Sequence, residues 1–216
     1  ASCGTFAAGA LAKQFLDQTA GIQCFAYVSQ VGDMKLEKSF TELDLSKIDD
    51  NAVRCPDPEM AEQMFNYIDE VRKNQDTIGG IITGVIKNVP AGLGEPVFDK
   101  FDADLAKAIM SINAVKSVSI GNTHNMLDLK GSEVRDEMTA DGFKSNNAGG
   151  ILGGITNGDL IELEFIIKPT SSIKSKGQTI NAMGEEVEVE VTGRHDPCVG
   201  IRAVPIAEAM VNLVVM

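Results

Sequence analysis

The octapeptide Gly193-Arg194-His195-Asp196-Pro197-Cys198-Val199-Gly200 combines a guanidinium, an imidazole and a carboxylate in three consecutive side chains. Arg194 offers a planar fork suited to phosphate or carboxylate. Asp196, two residues on, can act as a proton acceptor or can orient Arg194, and His195 can be a base, a donor or a packing residue. An ordinary surface Arg–Asp pair fits the same residues. The chain has two histidines, His124 and His195, and neither has a Ser or Cys partner at motif spacing, which argues against a nucleophilic triad.

A second stretch, Lys168-Pro169-Thr170-Ser171-Ser172, ends a strand pattern with one cation and three hydroxyls. This set suits a phosphate, and it also suits a solvated strand end. In a third, Gly149, Gly150, Gly153, Gly154 and Gly158 place five glycines in ten residues. Glycines there either free backbone N–H groups for anionic oxygens or allow a tight turn between packed elements. The spacing is neither that of a dinucleotide-binding turn nor that of a P-loop. Asn113-Ala114 joins a helix pattern to a strand pattern, so Asn113 either caps the helix or meets a ligand.

Positioning these groups requires a set of alternating elements. Phe6, Ala10, Leu11, Phe15 and Leu16 fall at helical spacing and predict a helix from Phe6 to Gln18 with that stripe inward. Ile22–Val31 alternates as a strand. Asp57 and Pro58 open a helix carrying Met60, Met64, Phe65, Ile68 and Val71. Ile81–Val89 is a strand, Pro90–Gly94 a turn, and Asp102 and Asp104 begin a helix that buries Leu105, Ile109 and Ile112. Val115–Ile120 is a short strand, and residues 121–150 read as a long polar excursion. Ile161, Leu163, Phe165 and Ile167 alternate in a strong strand, Glu185–Thr192 in a strand with one wet face, and Ala203–Met216 forms an apolar helix. Pattern alone gives alternating α/β in one domain.

The chain is 44% hydrophobic and 23% charged, with a net charge of -12. That charge argues against nucleic acid and anionic membrane as partners, and no apolar run is long enough to span a bilayer. Five arginines, Arg54, Arg72, Arg135, Arg194 and Arg202, are a small stock for gripping a polyanion. Cys3, Cys24, Cys55 and Cys198 are far apart, with no zinc spacing, and read as reduced thiols of a cytoplasmic protein. No metal site is expected, and no signal-peptide pattern is visible in the sequence.

The order of motifs resembles chorismate synthase: Gly92 to Lys100, Ser111 to Lys116, Ala148 to Gly158, Lys168 to Ser172 and Gly193 to Met210. The resemblance runs from about Phe6 to the last residue. It implies an α+β fold, the family's β-α-β sandwich, assembled as a homotetramer. It further implies a shikimate-pathway lyase that eliminates phosphate from 5-enolpyruvylshikimate 3-phosphate (a 1,4-anti elimination) to give chorismate. Reduced FMN is the implied cofactor, with NADPH as a source of reducing equivalents. The flavin contacts carried over are Asn113, Ala114, Gly153, Lys168, Pro169, Thr170, Ser171, Ser172 and Arg194, and the catalytic positions are Arg194 and Asp196. Departures from the family pattern are equally specific. The segment Phe-Gly-Glu-Ser-His-Gly, the Arg-rich stretches, a second catalytic His and a Gly-Gly-Gly-Arg-Ser run are absent. Residues 1–216 are therefore expected to form one partial domain, lacking the N-terminal segment and the extreme C-terminus. The resemblance predicts that this piece alone is inactive and exposes apolar faces; a non-catalytic flavin- or phosphate-binding and oligomerising module is the alternative.

Overall fold

The computed structural model describes residues 3–193 and 195–216, apart from the side chain of His124. It is an α+β fold. A five-stranded sheet has the order β2-β1-β3-β9-β4, with β1 Gln23–Val31, β2 Met34–Lys35, β3 Gly80–Lys87, β4 Val115–Ile120 and β9 Ile161–Ile167. Two-stranded pairings join β5 Met138–Thr139 to β6 Gly142–Phe143, β7 Ile151–Leu152 to β8 Ile155–Thr156, and β10 Gly177–Ile180 to β11 Glu186–Val189. Among the described residues, no helix is long and apolar enough to cross a membrane. The chain divides into two compact units, one of Ala1–Tyr27, Ile82–Ile166 and Arg202–Met216, the other of Val28–Ile81 and Ile167–Ile201.

In the first unit, helix α3 (Phe101–Met110) buries Phe101, Leu105 and Ile109, one residue per turn of a single stripe. Ile161, Leu163 and Phe165 of β9 are buried while Glu162 and Glu164 are half-buried, the alternation the sequence predicts. Helix α1 (Cys3–Ala20) spans more than the expected 6–18, and its inward face differs from the expected one. Gly9, Ala12 and Leu16 are buried, whereas Phe6, Leu11 and Phe15 are exposed. The cause is close approach to helix α6 (Gly200–Val215): a Cβ on Gly9 would lie 2.4 Å from Cβ of Ala209. Small residues allow that contact and a Phe could not, so size overrides hydrophobic spacing. Residues 121–150 are also not an unstructured excursion. They hold helices α4 (Thr123–Met126) and α5 (Gly131–Val134) and the β5–β6 hairpin. Asp136 ties the return by accepting from Asn147 N, Ala148 N and Ser145 Oγ.

In the second unit, helix α2 (Pro58–Lys73) begins as predicted, with Asp57 accepting from Met60 N at 2.9 Å. Ala61, Met64 and Ile68 form its buried stripe, but Phe65 is exposed, outside it. The helix ends in a Schellman turn: Gln75 N bonds Arg72 O, Asp76 N bonds Val71 O, and Gln75 adopts φ 60°. The β10–β11 hairpin is exposed on both faces, where the sequence reading expects β11 to bury its valines.

Candidate functional site

Two groups of predicted site residues emerge, one in each unit. In the second unit the organising segment is Asp76-Thr77-Ile78-Gly79, delivered by the Schellman turn to the start of β3. Thr77 Oγ1 donates to Thr170 O at 2.6 Å, and Ile78 N donates to Pro197 O at 2.8 Å. Gly79 lies so close to the end of β9 that a Cβ there would sit 2.5 Å from Ile167 O and 3.0 Å from Pro169 Cδ. One four-residue segment thus anchors both the Lys168–Ser172 strand end and the segment that carries Asp196. Among the described residues, the side chains of Lys168, Ser171 and Ser172 are exposed and make no hydrogen bond or ion pair. They are free donors beside a rigid strand, the set a phosphate or a flavin's carbonyl oxygens require.

A cavity of about 360 Å³ opens beside these segments, with Arg72, Asp76, Thr77, Lys174, His195 and Asp196 among its lining residues. Asp196 is half-buried at its wall. Arg194, expected as both a flavin contact and a catalytic residue, lies outside the described residues. Asp76, Thr77 and Lys174 were not expected from the sequence, and Arg72 only as one of five arginines. No local signal marks them: the polar run Asn74 to Thr77 between a helix and the Gly79-Gly80 pair has the length of an ordinary connection.

In the first unit, Asn113 is exposed and does not cap α3. The C-cap is Ser111, whose N–H reaches Lys107 O and Ala108 O. Ala114 has φ 71°, a left-handed conformation costing about 1–2 kcal/mol for a residue with a Cβ, and such strain persists where the surroundings over-determine it. Gly153 and Gly154 form the two-residue turn of the β7–β8 hairpin with φ 62° and 86°, which suits glycine. Gly154 O accepts from Phe101 N at the first residue of α3, whereas Asn113-Ala114 follows its last turn. A ten-residue helix measures about 15 Å, so a ligand touching both groups would run along it.

The glycine run divides between its two readings. Gly149 N and Gly150 N are already bonded, to Asn146 O and Asn146 Oδ1. A Cβ on Gly149 would meet Gly121 N at 2.4 Å. These two glycines serve close packing and not anion binding. Gly153 alone keeps open space around it.

The chorismate synthase family model matches residues 1–216. The chain belongs to the chorismate synthase family. A crystal structure of chorismate synthase superimposes with a TM-score of 0.78 and 29% sequence identity, covering 98% of this chain. The chain spans 60% of the length of that solved chorismate synthase. Membership in the chorismate synthase family accounts for the α+β fold and for the order of the motifs along the chain.

Proposed function

We propose that this chain forms part of a chorismate synthase, converting 5-enolpyruvylshikimate 3-phosphate to chorismate with reduced FMN. The reaction breaks one C–H and one C–O bond, forms a C=C bond, and releases phosphate and a proton without net oxidation. The carrying observation is the joining of the Lys168–Ser172 strand end and the Asp196 segment through Thr77 and Ile78.

The donor set fits the cofactor. Lys168, Ser171 and Ser172 would hold it as hydrogen-bond and charge donors, with Asn113, Ala114, Gly153, Pro169, Thr170 and Arg194 as further contacts carried over from the family. When bound, reduced flavin supplies an electron-rich ring that favours departure of phosphate. Lys168, carried at the end of β9, offers a positive charge toward the negative charge that develops on the leaving group. Asp196 accepts or relays the proton at its carboxylate, or aligns Arg194 toward the leaving phosphate. Thr77 and Gly79 exert their effect through these groups by fixing the backbone that carries them.

The whole enzyme is further proposed to be a cytoplasmic homotetramer that draws on NADPH for flavin reduction, with these residues as one part of its domain. The full-length protein, given reduced FMN anaerobically, should release phosphate from the substrate. Failure to do so, with FMN bound, overturns the reading. The isolated chain should give no turnover, and activity from it would show that the histidines absent from it are dispensable.

A further inference from the structure

We infer that Thr156 is a positioning residue for the flavin contact at Gly153: its hydroxyl fixes the β7–β8 turn against the Pro90–Gly94 loop and the start of α3. The inference rests on the proposed function for the identity of the ligand at Gly153.

The turn cannot hold itself. Strands β7 and β8 contribute two residues each, and a two-stranded ribbon is marginal in water even at greater length. Leu152 and Ile155, which flank Gly153 and Gly154, are exposed, and nothing lies within 4 Å of a Cβ built on Gly153. The direction in which Gly153 presents its backbone is therefore set from the other end of the hairpin.

That end is Thr156, which is 3% exposed. Its Oγ1 donates to Pro90 O at 2.7 Å and accepts from Leu93 N at 2.9 Å, so one hydroxyl spans the loop. The backbone repeats the tie: Gly92 N donates to Thr156 O at 2.8 Å, and Thr156 N donates to Leu93 O at 2.9 Å. Beyond Leu93 the loop passes the turn so closely that a Cβ on Gly94 would collide with Gly154 O. Gly154 O in turn accepts from Phe101 N at 2.9 Å, at the first residue of α3.

Hydroxyl, loop, turn and helix start form one closed set of contacts within a single compact unit. Asn113-Ala114 follows the other end of α3. The same set therefore fixes the separation between the flavin contacts expected at Gly153 and at Asn113-Ala114. Removing the hydroxyl takes a donor from Pro90 O and an acceptor from Leu93 N together, which loosens the loop against the hairpin.

The test measures FMN affinity and needs no turnover. In the full-length protein, Thr156→Val keeps the shape and removes both side-chain bonds, whereas Thr156→Ser retains them. Titration of FMN, followed by flavin fluorescence, should give a dissociation constant at least fivefold higher for Thr156→Val and within twofold of the parent for Thr156→Ser. Leu16→Ala truncates a buried residue elsewhere in the same unit. It should lower the unfolding midpoint at least as far and leave FMN affinity at the parent value. Without FMN, hydrogen exchange of residues 90–94 should quicken in Thr156→Val and not in Leu16→Ala. Equal FMN affinity of Thr156→Val and the parent overturns the positioning role, and so does an equal loss in Leu16→Ala, which would make lost stability a sufficient cause. A parent that binds no FMN defeats the proposed function and this inference with it, whereas parent binding unmoved by Thr156→Val defeats this inference alone.

Discussion

The hydroxyl of Thr77 donates to the backbone carbonyl of Thr170 at 2.6 Å across 93 residues of sequence. Thr77 is buried, so this bond is both a structural tie and the positional reference for the Lys168–Ser172 donors. Thr77→Val keeps the shape and leaves the carbonyl unpaired. It should lower stability by about 1–3 kcal/mol, whereas Thr77→Ser keeps the donor and should cost only the deleted buried methyl, about 1 kcal/mol. Urea unfolding of the two variants decides this, and equal stabilities would show that the bond contributes little.

Gly9 tests the α1–α6 contact. Replacing a helical Gly by Ala ordinarily stabilises by about 1 kcal/mol. Here the new Cβ would overlap Ala209 at 2.4 Å, including its backbone Cα at 2.5 Å. Overpacking of this kind costs about 1–3 kcal/mol, so Gly9→Ala should be neutral to destabilising. Gly131→Ala, at the first residue of α5 with nothing within 4 Å of the added carbon, should be neutral or mildly stabilising. Thermal unfolding that ranks Gly9→Ala above Gly131→Ala would contradict the close packing.

The contrast between α1 and β9 shows what hydrophobic spacing can convey. In β9 the period of two maps directly onto burial, because Ile161, Leu163 and Phe165 alternate with two glutamates. In α1 the large apolar residues Phe6, Leu11, Phe15 and Leu16 suggest a stripe, yet the buried face is Gly9, Ala12 and Leu16, with only the last of the four inside. Spacing cannot report which face a neighbouring helix approaches. The Asp57 cap and the Lys168–Ser172 strand end are local signals and were legible. The cavity was not, since Arg72, Asp76 and Lys174 meet only through the Schellman turn and the Thr77–Thr170 tie. Glycine content was ambiguous for a similar reason: Gly149 and Gly153 look alike in sequence, and only packing against Gly121 separates them.

The cysteines should differ sharply in reactivity. Burial pushes the Cys24 thiol up to about 12, with the charge of Glu208 adding to the effect. Burial also raises Cys55 and Cys198, although backbone amides of Gly200 and Ile201 partly offset the rise at Cys198. Thiolate is the reactive form, and Cys3 is the one exposed thiol of the four. At pH 7.5 the native chain should take up one equivalent of a thiol reagent quickly, and all four only after unfolding. Mass spectrometry of the early product should place the label on Cys3; early labelling of Cys198 would mean that the α6 start opens in solution.

Asp196 carries the sharpest functional prediction. Asn has the same shape but cannot accept a proton as a carboxylate does, and it loses the charge that aligns a guanidinium. In the full-length protein with reduced FMN, Asp196→Asn should reduce kcat for phosphate release by about 10²- to 10⁴-fold, the range of a general acid–base contribution. Substrate KM should move little, since an interaction made only in the transition state lowers kcat and kcat/KM together. If Asp196 instead serves only to orient Arg194, the kcat of Asp196→Asn should lose less, and its pH profile should keep the parent's shape. Single-turnover phosphate release measured between pH 6 and 9 separates these outcomes. A variant that retains most of its activity would remove Asp196 from the chemistry and shift attention to His195 on the same wall of the cavity.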